Sequence, residues 1–188
     1  MGIIDGLIQK ENPKHHVIIE AHPDIYAQMD RLGWLKKANV TVVFGRWQDV
    51  IDDLDYKFDG IYFDTYGEYY EDMQALHKRL PSLMNMNGVY SYVLESPSGD
   101  RPDSLTCFTL VRFFNGLSPD NIFFHLVAGE VARRELNELG FSVAYHPIDV
   151  NTVDSKTWSE VERIGSGLKY WHFDQYFAPK CTFTPGKR

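Results

Sequence analysis

The chain has 188 residues, a length that suits one domain with a substantial core. Hydrophobic residues make up 44% of it, which excludes an intrinsically disordered chain. The formal net charge of -7 argues against a nucleic-acid-binding surface, and the sequence contains no apolar run long enough to predict a membrane span. Its two cysteines, Cys107 and Cys181, match no metal-site spacing and indicate a reducing compartment.

The first half of the chain alternates between helix and strand patterns. Apolar spacing predicts a helix over residues 2–11, and a short apolar run that ends in Glu20 predicts a strand. Pro23 begins a second helix, whose buried stripe includes Leu32 and Leu35. The remaining predicted elements are a strand over 40–45, a short helix over 47–54, a strand over 58–63, and a helix over 69–80 that breaks at Pro81.

The second half continues the alternation with longer connections. Asn87 and Gly88 give a turn signal followed by a strand to residue 94, and residues 95–118 look irregular. A long helix is predicted over 119–139. Further segments are a strand over 141–150, a helical piece around 158–164 and an aromatic, strand-like run over 169–183. The last two strands have no long helix between them, which favours an antiparallel hairpin at one edge of the sheet.

This alternation predicts an α/β fold, with a mostly parallel sheet in a single domain over residues 1–188. Ligands of such sheets bind beyond the carboxyl ends of the strands. That rule selects three strand ends as candidate sites: Glu20, Gly45 with Arg46, and the segment from Asp64 to Tyr66.

Two of these strand ends suit a nucleotide. Glu20 can accept hydrogen bonds from ribose hydroxyls, although a solvated carboxylate is an equal interpretation. Gly45 allows a planar ring to approach the backbone. Trp47, just after it, is more often a packing residue than a ring contact.

Asp64 suits a cation. A carboxylate at a strand end can bind a guanidinium through paired hydrogen bonds, and the aromatic faces of Tyr66, Tyr69 and Tyr70 favour cations as well. The alternative is that Asp64 caps the helix that follows. Glu68 is open between a site residue and an acid that stabilises the first turn of that helix. The seven histidines show no HxxxH or HExxH spacing, so no metal site is predicted.

Four runs together resemble a known family: VIIEAHPD, VFGRWQDV, FDGIYFDTYGE and NGVYSYV. They are similar to guanidinoacetate methyltransferase and to the protein arginine N5-methyltransferases (type IV), over essentially the whole chain. The second half, with FFNGL and KYWHFDQYFAPKCTF, is more similar to the protein-modifying branch.

The resemblance implies a Rossmann-like class I methyltransferase fold with S-adenosylmethionine as cofactor and S-adenosylhomocysteine as product. The implied acceptor is the δ-nitrogen of arginine in a protein, a ribosomal protein in the known fungal cases, and the implied location is the cytoplasm or the nucleus. No nucleic-acid or membrane partner is expected. The implied cofactor-binding residues are Gly2, Glu20, Ala21, Gly45, Arg46, Trp47 and Asp64. The implied catalytic residues are Asp64, Thr65, Tyr66 and Glu68.

One departure from the family pattern leaves alternatives open. The glycine-rich loop after the family's first strand is matched only from its end, at residues 1–6, so we expect a truncated domain that lacks the first strand. A small-molecule guanidino methyltransferase and a non-catalytic binding module that has lost the cofactor loop are the other two hypotheses.

Overall fold

The computed structural model describes residues 3–64, 70–92, 122–149 and 175–186. The chain divides into two compact units, Met1–Tyr56 and Lys57–Arg188, and each is described by itself. The predictions for residues 95–118 and 158–164 lie outside the described residues. The prediction of a single domain without the first strand stays a prediction.

The first unit contains two parallel strands and the segments that connect them. Its elements are α1 (Ile3–Lys10), β1 (His16–Glu20), α2 (Pro23–Arg31), β2 (Val40–Phe44) and α3 (Trp47–Val50), with 3-10 turns at Trp34–Lys36 and Ile51–Asp53. β1 and β2 pair in parallel, from His16 opposite Val40 to Glu20 opposite Phe44. Both strands therefore end at the same edge.

The second unit is a four-stranded sheet with helices. Its elements are β3 (Phe58–Phe63), α4 (Tyr70–Leu83), β4 (Met84–Tyr92), α5 (Ile122–Glu138), β5 (Phe141–Asp149) and β6 (Gln175–Phe183). The strand order is β3-β4-β6-β5. β3 and β4 are parallel, whereas β6 runs antiparallel to both β4 and β5. The predicted α/β class, with parallel pairing and an antiparallel hairpin at one edge, is confirmed.

The core of the second unit lies along one face of α4. Met73, Leu76 and Leu80 are buried there, and Tyr90 and Tyr92 of β4 are almost completely buried. The burial of these large apolar side chains supplies the main driving force for folding this unit. Among the described residues, no helix has both the length and the apolar character needed to cross a membrane.

Some predicted boundaries are wrong, each for a local reason. α2 ends at Arg31 because Gly33 adopts a left-handed conformation (φ 78°) that terminates the helix, so Leu32 is 55% exposed and Leu35 lies in the 3-10 turn. Pro81 does not end α4, because a proline so close to the carboxyl end removes only one helical hydrogen bond.

The predicted turn at Asn87 lies inside a strand. β4 already begins at Met84, and its pairing with β3 shifts between Phe58 and Gly60. Asn87 has a positive φ of 65° at this irregularity. The Asn-Gly pair therefore marks a bulge within a longer strand.

Candidate functional site

Glu20 is the last residue of β1, and its carboxylate is held by the turn that follows. The backbone N–H of His22 donates to Oε1 of Glu20 at 2.7 Å. The backbone N–H of Asp24 in turn donates to Nδ1 of His22 at 3.2 Å, which caps α2. Among the described residues, Oε2 of Glu20 makes no hydrogen bond. One oxygen therefore orients the carboxylate, and the other is available to a hydroxyl donor.

Gly45 lies beside Glu20 at the end of the neighbouring strand. Its backbone N–H donates to the carbonyl oxygen of Glu20 at 3.0 Å. Its φ is 153°, and a Cβ atom at this position would lie 2.7 Å from Cγ1 of Val50. Both the conformation and the contact therefore require glycine.

The other predicted residues of this edge differ in exposure. Ala21 and Arg46 are exposed, whereas Trp47 begins α3 and is only 7% exposed. The burial of Trp47 agrees with the packing interpretation, and its role at the cofactor stays a prediction. A carboxylate oxygen, a glycine backbone and an exposed guanidinium within one unit fit the ribose and ring of a nucleoside. We name Glu20, Ala21, Gly45 and Arg46 the strand-end site.

Asp64 follows the last residue of β3 and is exposed. The strand before it is fixed by parallel pairing, in which Phe63 lies opposite Tyr92 of β4. Asp64 belongs to the second unit, so its position is given relative to that unit only. Gly2, Thr65, Tyr66 and Glu68 lie outside the described residues.

A polar cluster that the sequence did not predict lies in the second unit. The Tyr70 hydroxyl donates to Oε2 of Glu135 at 3.1 Å. Nδ1 of His77 lies 3.3 Å from the same oxygen but is not aligned for a hydrogen bond. Nε2 of His77 lies 3.2 Å from the Tyr90 hydroxyl. We name Tyr70, His77, Tyr90 and Glu135 the α4–α5 cluster.

Burial controls the charge states in this cluster. It lowers the pKa of His77 below the usual 6.5, and nearby Glu135 opposes this only in part. Burial and Glu135 together raise the pKa of Tyr70, and burial raises that of Tyr90. The histidine is therefore neutral near pH 7, and both tyrosines keep their hydroxyl protons.

A second set of tyrosine contacts links β4, β5 and α5. The Tyr145 hydroxyl donates to the carbonyl oxygen of Gly129 at 2.6 Å and lies 3.0 Å from the Tyr92 hydroxyl. A Cβ atom on Gly129 would lie 3.1 Å from the Tyr145 hydroxyl oxygen, so a small residue is needed there. These contacts fix α5 against the sheet.

Part of the α4–α5 cluster could have been found from the sequence. Tyr70 and His77 are seven residues apart and therefore lie on one face of a helix. Glu135 lies 65 residues beyond Tyr70, and no local pattern connects them. Among the described residues, the His, Cys, Asp and Glu side chains do not form a group that could hold a metal ion.

Comparisons with known proteins place these features in a family. The sequence model described as "Guanidinoacetate N-methyltransferase" matches residues 1–99. "Protein arginine N-methyltransferase 2" of Yarrowia lipolytica is 34% identical over 190 residues, which is 97% of this chain and 34% of that protein. The protein of the same name from Saccharomyces cerevisiae is 34% identical over 189 residues, 97% of this chain and 39% of its own length. The chain thus spans between a third and two fifths of these relatives.

Solved structures support the fold. A methyltransferase from Pyrococcus furiosus has a TM-score of 0.51 and 13% identity, over 96% of this chain and 69% of its own. A putative rRNA-methylase from Clostridium thermocellum has a TM-score of 0.50 and 10% identity, over 98% of this chain and 83% of its own. At these identities the likeness shows the methyltransferase fold alone. Because the sequence model covers more than half of the 188 residues, the chain belongs to the guanidinoacetate N-methyltransferase family.

Proposed function

We propose that this chain is an S-adenosylmethionine-dependent methyltransferase domain that acts on the δ-nitrogen of arginine in a protein, the type IV activity. The observation that carries the proposal is the strand-end site, where Glu20 and Gly45 are joined by a hydrogen bond of 3.0 Å at one edge. Family membership supports a guanidino acceptor. The relatives named protein arginine N-methyltransferase 2 support a protein substrate. A ribosomal protein is the substrate class that the family resemblance implies.

The strand-end site binds the nucleoside part of the cofactor. Glu20 accepts hydrogen bonds from the ribose hydroxyls through Oε2, while the N–H of His22 keeps the carboxylate oriented through Oε1. Gly45 and Arg46 border the adenine, and buried Trp47 supports them through packing. Gly2 and Ala21 complete the set of cofactor-binding residues.

Asp64 binds and orients the acceptor. S-adenosylmethionine, when bound, supplies a methyl group on a positively charged sulfur, which keeps the electron pair of the broken S–C bond. The Asp64 carboxylate accepts hydrogen bonds from the guanidinium and opposes the net positive charge of the two reactants. As the acceptor nitrogen bonds to the methyl carbon it releases one proton, which the Asp64 carboxylate accepts. Thr65, Tyr66 and Glu68 are the further catalytic residues that the family resemblance implies.

The Asp64→Asn variant tests this assignment. The amide keeps the size of the side chain but removes its charge, so we expect methyl transfer to fall at least about a hundredfold. Binding of S-adenosylhomocysteine should stay within about twofold, because Glu20 and Gly45 are unchanged. Transfer is measured with a labelled methyl group, and the modified nitrogen is identified by mass spectrometry of the arginine product.

Asp59→Asn is the matched control. Asp59 lies on β3, the strand that precedes Asp64, and is exposed, and its Oδ1 accepts a hydrogen bond from Asn85 at 2.9 Å. This variant should transfer methyl groups at the wild-type rate. An Asp64→Asn protein with unchanged turnover would remove Asp64 from the site.

A second candidate function is methylation of free guanidinoacetate. It is favoured by the description of the matching family. The two functions differ in the acceptor, so labelled methyl transfer to guanidinoacetate and to an arginine-containing ribosomal protein fraction is compared at equal guanidino concentration. Transfer to the small molecule alone supports the second candidate, and binding of cofactor without transfer to either supports a non-catalytic module.

A further inference from the structure

We infer that Tyr70 and Glu135 are positioning residues for Asp64, acting through the hydrogen bond between the Tyr70 hydroxyl and Oε2 of Glu135. The inference rests on the proposed role of Asp64 in binding the acceptor. It adds to that role two residues that do not touch the acceptor or the cofactor. Tyr70 begins α4, and Glu135 lies near the end of α5.

The chain is fixed on both sides of Asp64. Before it, Phe63 is paired with Tyr92 of β4. After it, Tyr70 is the first described residue, only six positions further on, and its hydroxyl donates to Glu135 at 3.1 Å. The pairing of Phe63 and the bond from Tyr70 to Glu135 fix described residues on each side of Asp64, and a site whose neighbours are fixed before a ligand binds loses less conformational freedom on binding. Loss of the Tyr70 contact should therefore weaken acceptor binding at Asp64.

Glu135 is itself well placed to hold Tyr70. Its side chain is 19% exposed, and the same oxygen that accepts from Tyr70 lies 3.3 Å from Nδ1 of His77. His77 is fully buried and contacts the hydroxyl of Tyr90, a residue of the strand that pairs with β3. The α4–α5 cluster thus connects the helix after Asp64 with the strand beside it.

A purely structural role for the same bond has a different signature. A residue that only stabilises the fold lowers the unfolding midpoint, and it disturbs cofactor and acceptor binding together. A positioning residue raises the KM for the acceptor while the affinity for S-adenosylhomocysteine is kept, since the strand-end site lies in the first unit. The separation of these two constants is therefore the decisive measurement.

The test uses four variants of the whole chain. Tyr70→Phe and Glu135→Leu remove the hydrogen bond, and each should raise the acceptor KM about tenfold, the scale expected for losing one bond to a charged group. Glu135→Gln keeps an oxygen acceptor for the hydroxyl, so it should restore most of the wild-type KM. Glu138→Leu, an exposed glutamate on the same helix, is the control and should have the wild-type KM. The affinity for S-adenosylhomocysteine should stay within about twofold in all four.

Two further measurements separate this inference from the function on which it rests. Hydrogen exchange of the peptide spanning residues 64–71 should be faster in Tyr70→Phe than in wild type. The inference would be overturned if Tyr70→Phe had the wild-type KM for the acceptor, or if its affinity for S-adenosylhomocysteine fell by the same factor as its KM rose. Methyl transfer by wild type would still uphold the proposed function in either case. If wild type transfers no methyl group, the proposed function fails, and unchanged exchange would then overturn the positioning role as well.

Discussion

The Glu20 carboxylate shows how one residue can be both structural and functional. Oε1 accepts the N–H of His22 at 2.7 Å, which fixes the turn between β1 and α2, and the carbonyl of the same residue accepts the N–H of Gly45. Within the described ranges the second oxygen accepts no hydrogen bond, so it remains for a ligand. The effect of a substitution at Glu20 therefore depends on which of these contacts the new side chain keeps.

We expect Glu20→Ala to weaken S-adenosylhomocysteine binding by about 1–3 kcal/mol, the usual scale for hydrogen bonds to a charged group. Glu20→Gln keeps an oxygen for the N–H of His22 but loses the negative charge, so its loss should be smaller. Both are measured by calorimetric titration. Glu11→Gln, an exposed glutamate in the same unit, serves as the control with unchanged affinity. Equal affinities for wild type and Glu20→Ala would exclude Glu20 from the cofactor site.

At the scale of elements, Gly45 determines how β2 passes into α3. Its φ of 153° and the 2.7 Å contact predicted for a Cβ atom leave no room for a side chain next to Val50. We expect Gly45→Ala to lower the free energy of unfolding by about 1–3 kcal/mol, because the strained backbone and the contact add together. The same change displaces the N–H that bonds to Glu20, so cofactor affinity should fall as well. Urea unfolding and calorimetric titration check the two effects.

Gly6→Ala is a matched control for this substitution. Gly6 lies in α1, and a Cβ atom there would meet nothing within 4 Å. Alanine is the better helix former, so this variant should be more stable by about 0.5–1 kcal/mol. A Gly45→Ala protein as stable as wild type would show that the turn after β2 relaxes without cost.

Most elements could be predicted because their signals are local. β2 is a run of β-branched residues stopped by Gly45, and β3 ends in the apolar run Ile61–Phe63, so the sequence predicts both within one residue of their bounds. The errors occur where a residue outside the hydrophobic pattern determines where an element ends. Leu32 has helical spacing but is 55% exposed, because the left-handed Gly33 ends α2 first.

The candidate site also contains residues that the sequence predicts and residues that it does not. Glu20 and Gly45 were selected because parallel strands place their carboxyl ends at one edge, and the structure brings them together with a hydrogen bond. The pair of Tyr70 and Glu135 was missed, because their contact depends on how α5 packs against α4. Such a contact depends on the tertiary fold, and no periodic pattern in the sequence indicates it.

For the molecule as a whole, the described residues include one buried histidine in each unit that favours the neutral form. His16 in the first unit lies 3.3 Å from Asp5, yet burial lowers its pKa below 6.5 against the effect of that carboxylate. His77 in the second unit is also lowered by burial, with Glu135 opposing. Well above pH 6.5 both histidines are neutral in the folded and in the unfolded chain, so their titration costs no stability there.

Acidification should therefore destabilise the protein before its carboxylates titrate. As the pH falls below 6.5, the unfolded chain binds protons at His16 and His77 that the folded chain does not yet bind. We expect the free energy of unfolding to fall between about pH 7.5 and about pH 5.5, by on the order of 1 kcal/mol for each histidine. Urea unfolding at both pH values measures this loss.

His77→Gln separates the effect of the second unit's histidine on the pH dependence of stability from that of His16. His77 contacts the Tyr90 hydroxyl, Glu135 and the Tyr92 ring. The glutamine amide can still bond to the Tyr90 hydroxyl but does not titrate, so the unfolding free energy of this variant should depend less on pH than that of wild type. His146→Gln, at an exposed position on β5, is the matched control and should keep the wild-type dependence. If His77→Gln and wild type lose the same free energy on acidification, protonation of His77 is not what destabilises the folded chain, and the loss comes from other titratable groups such as His16.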